Sequence, residues 1–233
     1  MRALIVYSHE EPKSFNAAMT DRAVEVLGGE GLEVDVSDLY AMGFDPVGGK
    51  RDFTSLDNAS FFKYGKEQRV ATERGTFAAD VAAEQRKLLA CDLLIFQFPL
   101  WWFGLPAVLK GWVDRVFAAG LIYSHDMWYT TGKFRGKRAM VSTTTGGGPA
   151  IYSETGLNGD LNQILFPIHH GIFYFVGFDV LPPYVAWSVS RVDQATRERY
   201  LDEYAERLRA WQTTEPIAYP PLEAYDENFQ LKG

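Results

Sequence analysis

Cysteine is almost absent: Cys91 is the only one among 233 residues. An intrachain disulfide and a cysteine-rich zinc site are therefore excluded, and the scarcity fits a reducing compartment. Long apolar runs are missing too. The stretch Ala3-Leu4-Ile5-Val6-Tyr7 falls short of the roughly 7 to 15 apolar residues of a secretory signal. Nothing approaches the roughly 20 of a membrane span, so a cytoplasmic protein is expected. Positive charge is scarce as well. With 23 Lys and Arg against 30 Asp and Glu, the formal net charge is −7. That balance argues against nucleic-acid binding by charge and against docking on an anionic membrane. No internal repeat, heptad or low-complexity tract is found.

Apolar material is plentiful. Hydrophobic residues make up 47% and aromatic residues 15% of the chain. This suffices for one full core, and residues 1–233 read as a single domain. Strands and helices alternate. Arg2–Ser8 is a short apolar run ending in a polar turn. Ser14-Phe15-Asn16 then precedes a helical pattern through Met19, Ala23, Val24 and Leu27, closed by Gly28-Gly29. Leu32–Val36 alternates at period two, and Ala78–Ala90 has helical spacing. Leu93–Phe98 is a near-continuous apolar run, interrupted by Gln97 and stopped by Pro99, as expected of a strand covered on both faces. Pro106 suits the start of the next helix. Ala139–Thr143 is a fourth strand. Asp160–Phe175 reads as helix, with Pro167 expected to kink or break it. Phe178–Val185 is a fifth strand with Pro182-Pro183 at its far end, and Asp193–Trp211 is an amphipathic helix capped by Asp193. Residues 45–75 form a polar, weakly periodic excursion, and the tail 216–233 has no clear period. The expected fold is α/β: an open parallel five-stranded sheet with helices on both faces and a short irregular C-terminal tail.

In such a sheet, ligands bind beyond the carboxyl ends of the strands. Three of those ends stand out. The first carries Ser8-His9 and Ser14-Phe15-Asn16, donors just before a helix N-terminus, a setting that suits phosphate. An ordinary N-cap by Ser14 or Asn16 would read the same way. The third strand ends in Leu100-Trp101-Trp102-Phe103-Gly104. Adjacent rings cannot all face inward, so at least one is expected to be exposed, either stacking a planar ligand or simply covering the core. The fourth ends in Thr144-Thr145-Gly146-Gly147-Gly148, where backbone amides could approach a ligand closely, or form a plain turn. The G-x-G-x-x-G pattern is missing here. Gly43 and Gly48 have P-loop spacing, but Gly49 stands where the lysine must be. Together the three loops suit a flat, phosphate-tethered cofactor, and a flavin fits best.

Several ordered runs carry a resemblance. They are Ser37-Asp38-Leu39-Tyr40-Ala41-Met42, Phe96 through Phe103, Pro106, Leu109-Lys110-Gly111-Trp112, Thr144 through Gly147, Tyr152, Gly159-Asp160 and Asn228-Phe229-Gln230. Over almost its whole length the chain resembles the NAD(P)H:quinone oxidoreductases of flavodoxin-like fold. Glu11-Pro12-Lys13-Ser14-Phe15-Asn16 and the short tail are closer to the branch that uses dihydronicotinamide riboside.

The resemblance implies FAD as cofactor. His9, Phe15, Asn16, Ala17 and Ala18 would hold the pyrophosphate and ribose region. Leu100, Trp101, Trp102 and Phe103 would meet the isoalloxazine, joined by Thr144, Thr145, Gly146 and Gly147. Tyr152 would lie at the pyrimidine edge, with Arg197 and Leu201 on the adenine side. The resemblance also implies a homodimer with shared sites. Ile122, Tyr123, Ser124, His125 and Trp128 of one subunit would wall the other's pocket, with Phe175 and Phe229 nearby. The expected activity is two-electron reduction of quinones by a reduced nicotinamide donor, with ping-pong hydride transfer through the flavin. A flavin-bound regulatory or electron-transfer module is the alternative, disfavoured by this aromatic lid.

Three departures matter. Asn158 stands where the main branch has a histidine that pairs with the catalytic tyrosine. Asparagine can orient and donate but cannot take up a proton near neutral pH. The riboside branch's metal site has two histidines and a cysteine, and here the positions hold His170, Tyr174 and Tyr219, so no metal is expected. Lys63 replaces a glutamine that in the family touches the partner's FAD.

Overall fold

The computed structural model describes residues 1–232. Five strands, β1 (Arg2–Tyr7), β2 (Glu33–Asp38), β3 (Leu93–Pro99), β4 (Arg138–Thr144) and β5 (Asp179–Ala186), form one parallel sheet in the order β2-β1-β3-β4-β5. Six α-helices surround it: α1 (Phe15–Gly29), α2 (Tyr64–Arg74), α3 (Ala79–Ala90), α4 (Ala107–Val116), α5 (Leu161–Ile168) and α6 (Gln194–Arg209). The α/β expectation holds, and the strand order reverses between β1 and β3, where open sheets of this kind leave a crevice. Among the described residues no helix is long and apolar enough to cross a membrane.

Strand alternation divides the core in two. Ala3, Ile5, Leu93, Ile95 and Met140 face α1 and α6, against Met19, Leu27, Tyr204 and Leu208. Leu4, Val6, Leu94, Phe96 and Val141 face the opposite layer, where Leu88, Leu109, Trp112 and Leu165 cover them. Both faces being covered explains why β3 is apolar at nearly every position, Gln97 being the one polar side chain in it. Ser14 caps α1 by accepting from the Ala17 N–H, and Asp193 caps α6 by accepting from the Thr196 N–H.

The structure corrects the sequence reading in two places and sharpens it in a third. Pro182 and Pro183 lie inside β5 rather than at its end. They are tolerated because β5 is an edge strand, and the register with β4 slips there, between Met140 and Ser142. Pro167 brings the irregularity expected of it: regular α5 ends one residue later, at Ile168, and the helix goes on as a wider π-helical turn over His169–Tyr174. The excursion contains α2, whose weak apolar period hid it, because its buried face includes Glu67 and Gln68.

One buried cation fastens that excursion. Arg115 on α4 donates to Asp52 at 2.8 Å, to Asp80 at 2.8 Å and to the Asp45 carbonyl at 2.8 Å. Burial works against its charge, but the two carboxylates outweigh it and raise its pKa. The Tyr64 hydroxyl donates to the other Asp52 oxygen. Gly111 lets the Pro46 backbone press against α4, where a Cβ would collide with it.

Candidate active site

At the carboxyl end of β1, the backbone folds into α1 with two donors unspent. The Ala17 N–H goes to Ser14 Oγ and the Ala18 N–H to the Ser14 carbonyl. The N–H groups of Phe15 and Asn16 find no partner among the described residues, as expected of a helix N-terminus. His9 stands beside them. The Glu11 N–H donates to its Nδ1 at 3.0 Å, which leaves the ring proton on Nε2, available as a donor.

From this point a cleft of about 550 Å³ runs between α1 and α6. His9, Lys13, Ser14 and Thr144 line one end, and Arg197, Gln194 and Leu201 the other. Arg197 is steered by a 3.0 Å bond from Nε to the Val189 carbonyl, which leaves its terminal nitrogens free to reach the cleft. Two cations, Lys13 and Arg197, thus flank one cavity beside a helix N-terminus, a setting for an elongated anion, with the Glu198 carboxylate, held by Gln194, also on its lining. Lys13, Val189, Ser190 and Gln194 are cleft residues that sequence reasoning did not single out. The basic Lys13, directly before the Ser14 cap, was the one available signal.

Beyond β3 the chain makes a tight shelf. Trp102 and Phe103 adopt positive φ of 49° and 60°, and the Gly104 N–H closes onto the Trp101 carbonyl at 3.0 Å. Positive φ in two bulky residues is costly, of order 1–3 kcal/mol each, and such strain gathers at functional sites. Trp101 is 46%, Trp102 96% and Phe103 50% exposed, so the expectation of at least one exposed ring is met by all three. His9 packs against Trp101 with ring centres 6.2 Å apart, which joins the first loop to the shelf. Leu100, by contrast, is tied back by its N–H to the Thr144 carbonyl at 2.9 Å.

The fourth strand end closes the third side. Thr145 Oγ1 donates to the Gly147 carbonyl at 2.8 Å and holds the glycine turn open. A Cβ on Gly146 would meet nothing, whereas one on Gly147 would touch Ile151 and Tyr152. Tyr152 is half-buried, tilted against Trp187 at 5.7 Å, and its hydroxyl has no partner among the described residues. The Asn158 N–H donates to the Ile151 carbonyl at 2.9 Å, which sets residue 158 beside the Tyr152 segment.

A second group of aromatics lies apart from the shelf. Tyr123 meets Phe175 at 5.7 Å, Phe175 meets Trp128 at 6.3 Å, and Trp128 meets Phe229 at 5.6 Å. Ser124 donates to Asp126 at 2.6 Å, and His125 is exposed. Ile122 corrects the sequence reading. It is fully buried in the core against the sheet, so its side chain cannot form part of a pocket wall. Asn16 and Thr144 are also almost wholly buried, so each reaches the cleft through backbone or a single atom, and Thr145, equally buried, does not line it. Lys63 lies over the Phe61 ring at 5.4 Å.

His170, Tyr174 and Tyr219 do converge. His170 stacks on Phe166 at 4.7 Å and meets Tyr219 edge-on at 5.0 Å, and the Tyr174 hydroxyl donates to the Pro220 carbonyl at 3.0 Å. Among the described residues no group of three His, Cys, Asp or Glu could hold a metal ion.

Comparison with known proteins places the chain. Residues 1–211 match a family described by its flavodoxin-like fold. The chain is 44% identical over 230 residues to rat NAD(P)H dehydrogenase [quinone] 1, covering 98% of this chain and 84% of that one. It is 42% identical over 217 residues to human ribosyldihydronicotinamide dehydrogenase [quinone], covering 93% of this chain and 94% of the relative. A crystal structure from Klebsiella pneumoniae, of a protein provisionally named a quinone reductase, superimposes with a TM-score of 0.93. It is 39% identical and covers 100% of this chain and 94% of that one. The chain belongs to this flavodoxin-like family of quinone dehydrogenases, enzymes of the oxidoreductase class.

Proposed function

We propose that this protein reduces quinones by two electrons at the expense of a reduced nicotinamide donor, with FAD as cofactor and as a homodimer. The observation that carries the reading is the joining of shelf and cleft. Exposed Trp101, Trp102 and Phe103 offer an apolar surface, His9 packs against Trp101 and lines the cleft, and the cleft continues past the α1 N-terminus to Arg197 and Leu201. A flavin with a single phosphate would end near α1. The extension toward α6 favours a dinucleotide, with Leu201 and Arg197 beside its far half. Bound there, FAD would supply the reversible hydride-accepting chemistry that lets donor and quinone react in turn.

The chain's own groups take defined parts. The Phe15 and Asn16 N–H groups, His9 Nε2–H, Lys13 and Arg197 bind the diphosphate region. The free backbone around Trp102, Phe103, Gly146 and Gly147 accepts close approach of a ring system. Tyr152, with its hydroxyl unspent, donates to negative charge that gathers at the pyrimidine edge on reduction. Asn158 orients a ligand by hydrogen bonding and holds no proton of its own to exchange near neutral pH. Tyr123, Ser124, His125, Trp128, Phe175 and Phe229 form a wall over the partner's shelf and exclude water during transfer. A bare electron-transfer module would want an exposed flavin edge, and this aromatic wall favours the enzyme.

Initial-rate kinetics test the reading. Parallel double-reciprocal lines are expected when the donor is varied at several fixed quinone concentrations, with a dimer in sedimentation. Intersecting lines together with a monomer would contradict it.

A further inference from the structure

Gln97, on β3, is wholly buried and belongs to no expected site. Its Nε2 donates to Asn16 Oδ1 at 2.9 Å and reaches Met19 Sδ at 3.8 Å. Asn16 in turn donates from Nδ2 to Thr144 Oγ1 at 2.9 Å. All three side chains are at least nine-tenths buried. The direction of the chain follows from counting donors. As arranged, both Gln97 amide protons have acceptors, its Oε1 is unpartnered, and one of the two Asn16 Nδ2 protons has no acceptor among the described residues. Reversing both amides would strand both Gln97 protons while still leaving one on Asn16, three buried N–H groups without an acceptor against one. Buried carbonyl oxygens go unpaired more readily than buried N–H groups, so the first arrangement wins.

The consequence falls on a proton. Thr143 donates its hydroxyl to the Phe98 carbonyl at 2.7 Å, and Thr145 donates to Gly147 at 2.8 Å. Thr144 accepts from Asn16 and donates to nothing among the described residues. Of the three consecutive threonines, only Thr144 keeps a proton to give, and it lines the cleft beside His9 and Ser14.

We propose that Gln97 and Asn16 are positioning residues: their relay forces Thr144 to be a hydroxyl donor toward a phosphate oxygen of the bound flavin. The relay links the loops after β1 and β4 through β3, and it rests on the flavin reading above.

The test titrates apoprotein with FAD, FMN and riboflavin and follows flavin fluorescence quenching. Thr144→Val is expected to weaken FAD and FMN about 10- to 100-fold, the scale of a hydrogen bond to a charged acceptor. Riboflavin, which has no phosphate, should lose less than about threefold, and Thr144→Ser should retain binding. Gln97→Met should match Thr144→Val, and the double variant should be no weaker than Thr144→Val alone. In Gln97→Glu, a protonated carboxyl can still donate to Asn16. That variant should bind FAD more tightly than Gln97→Met at pH 6, with the gap closing as pH rises. The relay is overturned if the two single losses multiply, if Thr144→Ser is as weak as Thr144→Val, or if riboflavin suffers equally. It is equally overturned if Gln97→Glu is no better than Gln97→Met at pH 6. If Gln97→Met does not fold, the two Thr144 variants and Gln97→Glu still decide. Wild-type protein that binds no flavin overturns the functional reading as well; wild-type binding with multiplying losses overturns the relay alone.

Discussion

Trp128 and Phe229 meet edge to face with ring centres 5.6 Å apart, and through this pair the C-terminal tail becomes part of the aromatic wall. Phe229 is held there by a turn in which its N–H donates to the Asp226 carbonyl at 3.0 Å and its own φ is 59°. Such a pair contributes about 0.5–1.5 kcal/mol beyond its buried area. Phe229→Ala is therefore expected to raise the KM for quinone about 2- to 10-fold, leaving the flavin dissociation constant unchanged. An unchanged KM would remove the tail from the acceptor pocket.

Arg115 bears on stability rather than chemistry. Replacing it by Met leaves Asp52 buried beside Tyr64 without its cation. Loss of one partner of a buried pair costs about 3–5 kcal/mol. A cooperative urea midpoint well below that of the wild type is expected for Arg115→Met. Substantial recovery is expected in the Arg115→Met/Asp52→Leu double variant, because no charge is then left stranded. Equal midpoints for the two variants would show that the ion pair itself, rather than the stranded carboxylate, sets the cost.

His169 makes folding sensitive to acid. It is 1% exposed, its Nε2 has no partner, and burial pulls its pKa from 6.5 down to about 4. The unfolded chain therefore binds a proton more readily than the folded one between those values. The contribution is fully present above pH 6.5 and is lost as pH falls toward 4, by an amount of order 3 kcal/mol. Unfolding free energies measured at pH 7.5 and pH 4.5 should converge for His169→Leu relative to the wild type. An identical acid sensitivity in both proteins would place its source elsewhere.

Asn158 predicts what is missing from a pH profile. Flavin reduction in the wild type should have no titration near pH 6 to 7 arising from residue 158, because an amide does not ionise there. Asn158→His should add one near the ordinary imidazole range and speed the reduction. A wild-type titration in that range that disappears in Asn158→Ala would contradict the assignment.

Much of this architecture was legible from residue order. The apolar runs of β1, β3 and β4 and the period-two alternation at β2 mark strands because sheet geometry imposes those patterns directly. Ser14 and Asp193 mark helix starts because caps are local chemistry. The misreadings have a common cause in tertiary context. Pro182-Pro183 is compatible with a strand only at a sheet edge, and edge position is not a local property. Glu67 and Gln68 face inward only because the Asp57, Asn58 and Ala119 backbone N–H groups await them, so α2 has no apolar stripe to read. Ile122 sits in a polar-aromatic stretch that looks like a wall, yet its own side chain turns into the core. Gln97 was invisible for the same reason, since its partners are 81 residues away on α1 and, through Asn16, on β4.

The most direct measurement is an anaerobic spectral titration of the purified protein reconstituted with FAD. The account predicts a bound yellow chromophore that bleaches on adding NADH, NADPH or dihydronicotinamide riboside and recolours fully when one equivalent of a quinone follows. A protein that stays colourless with FAD and FMN, or one whose bound flavin ignores every nicotinamide donor, would contradict it.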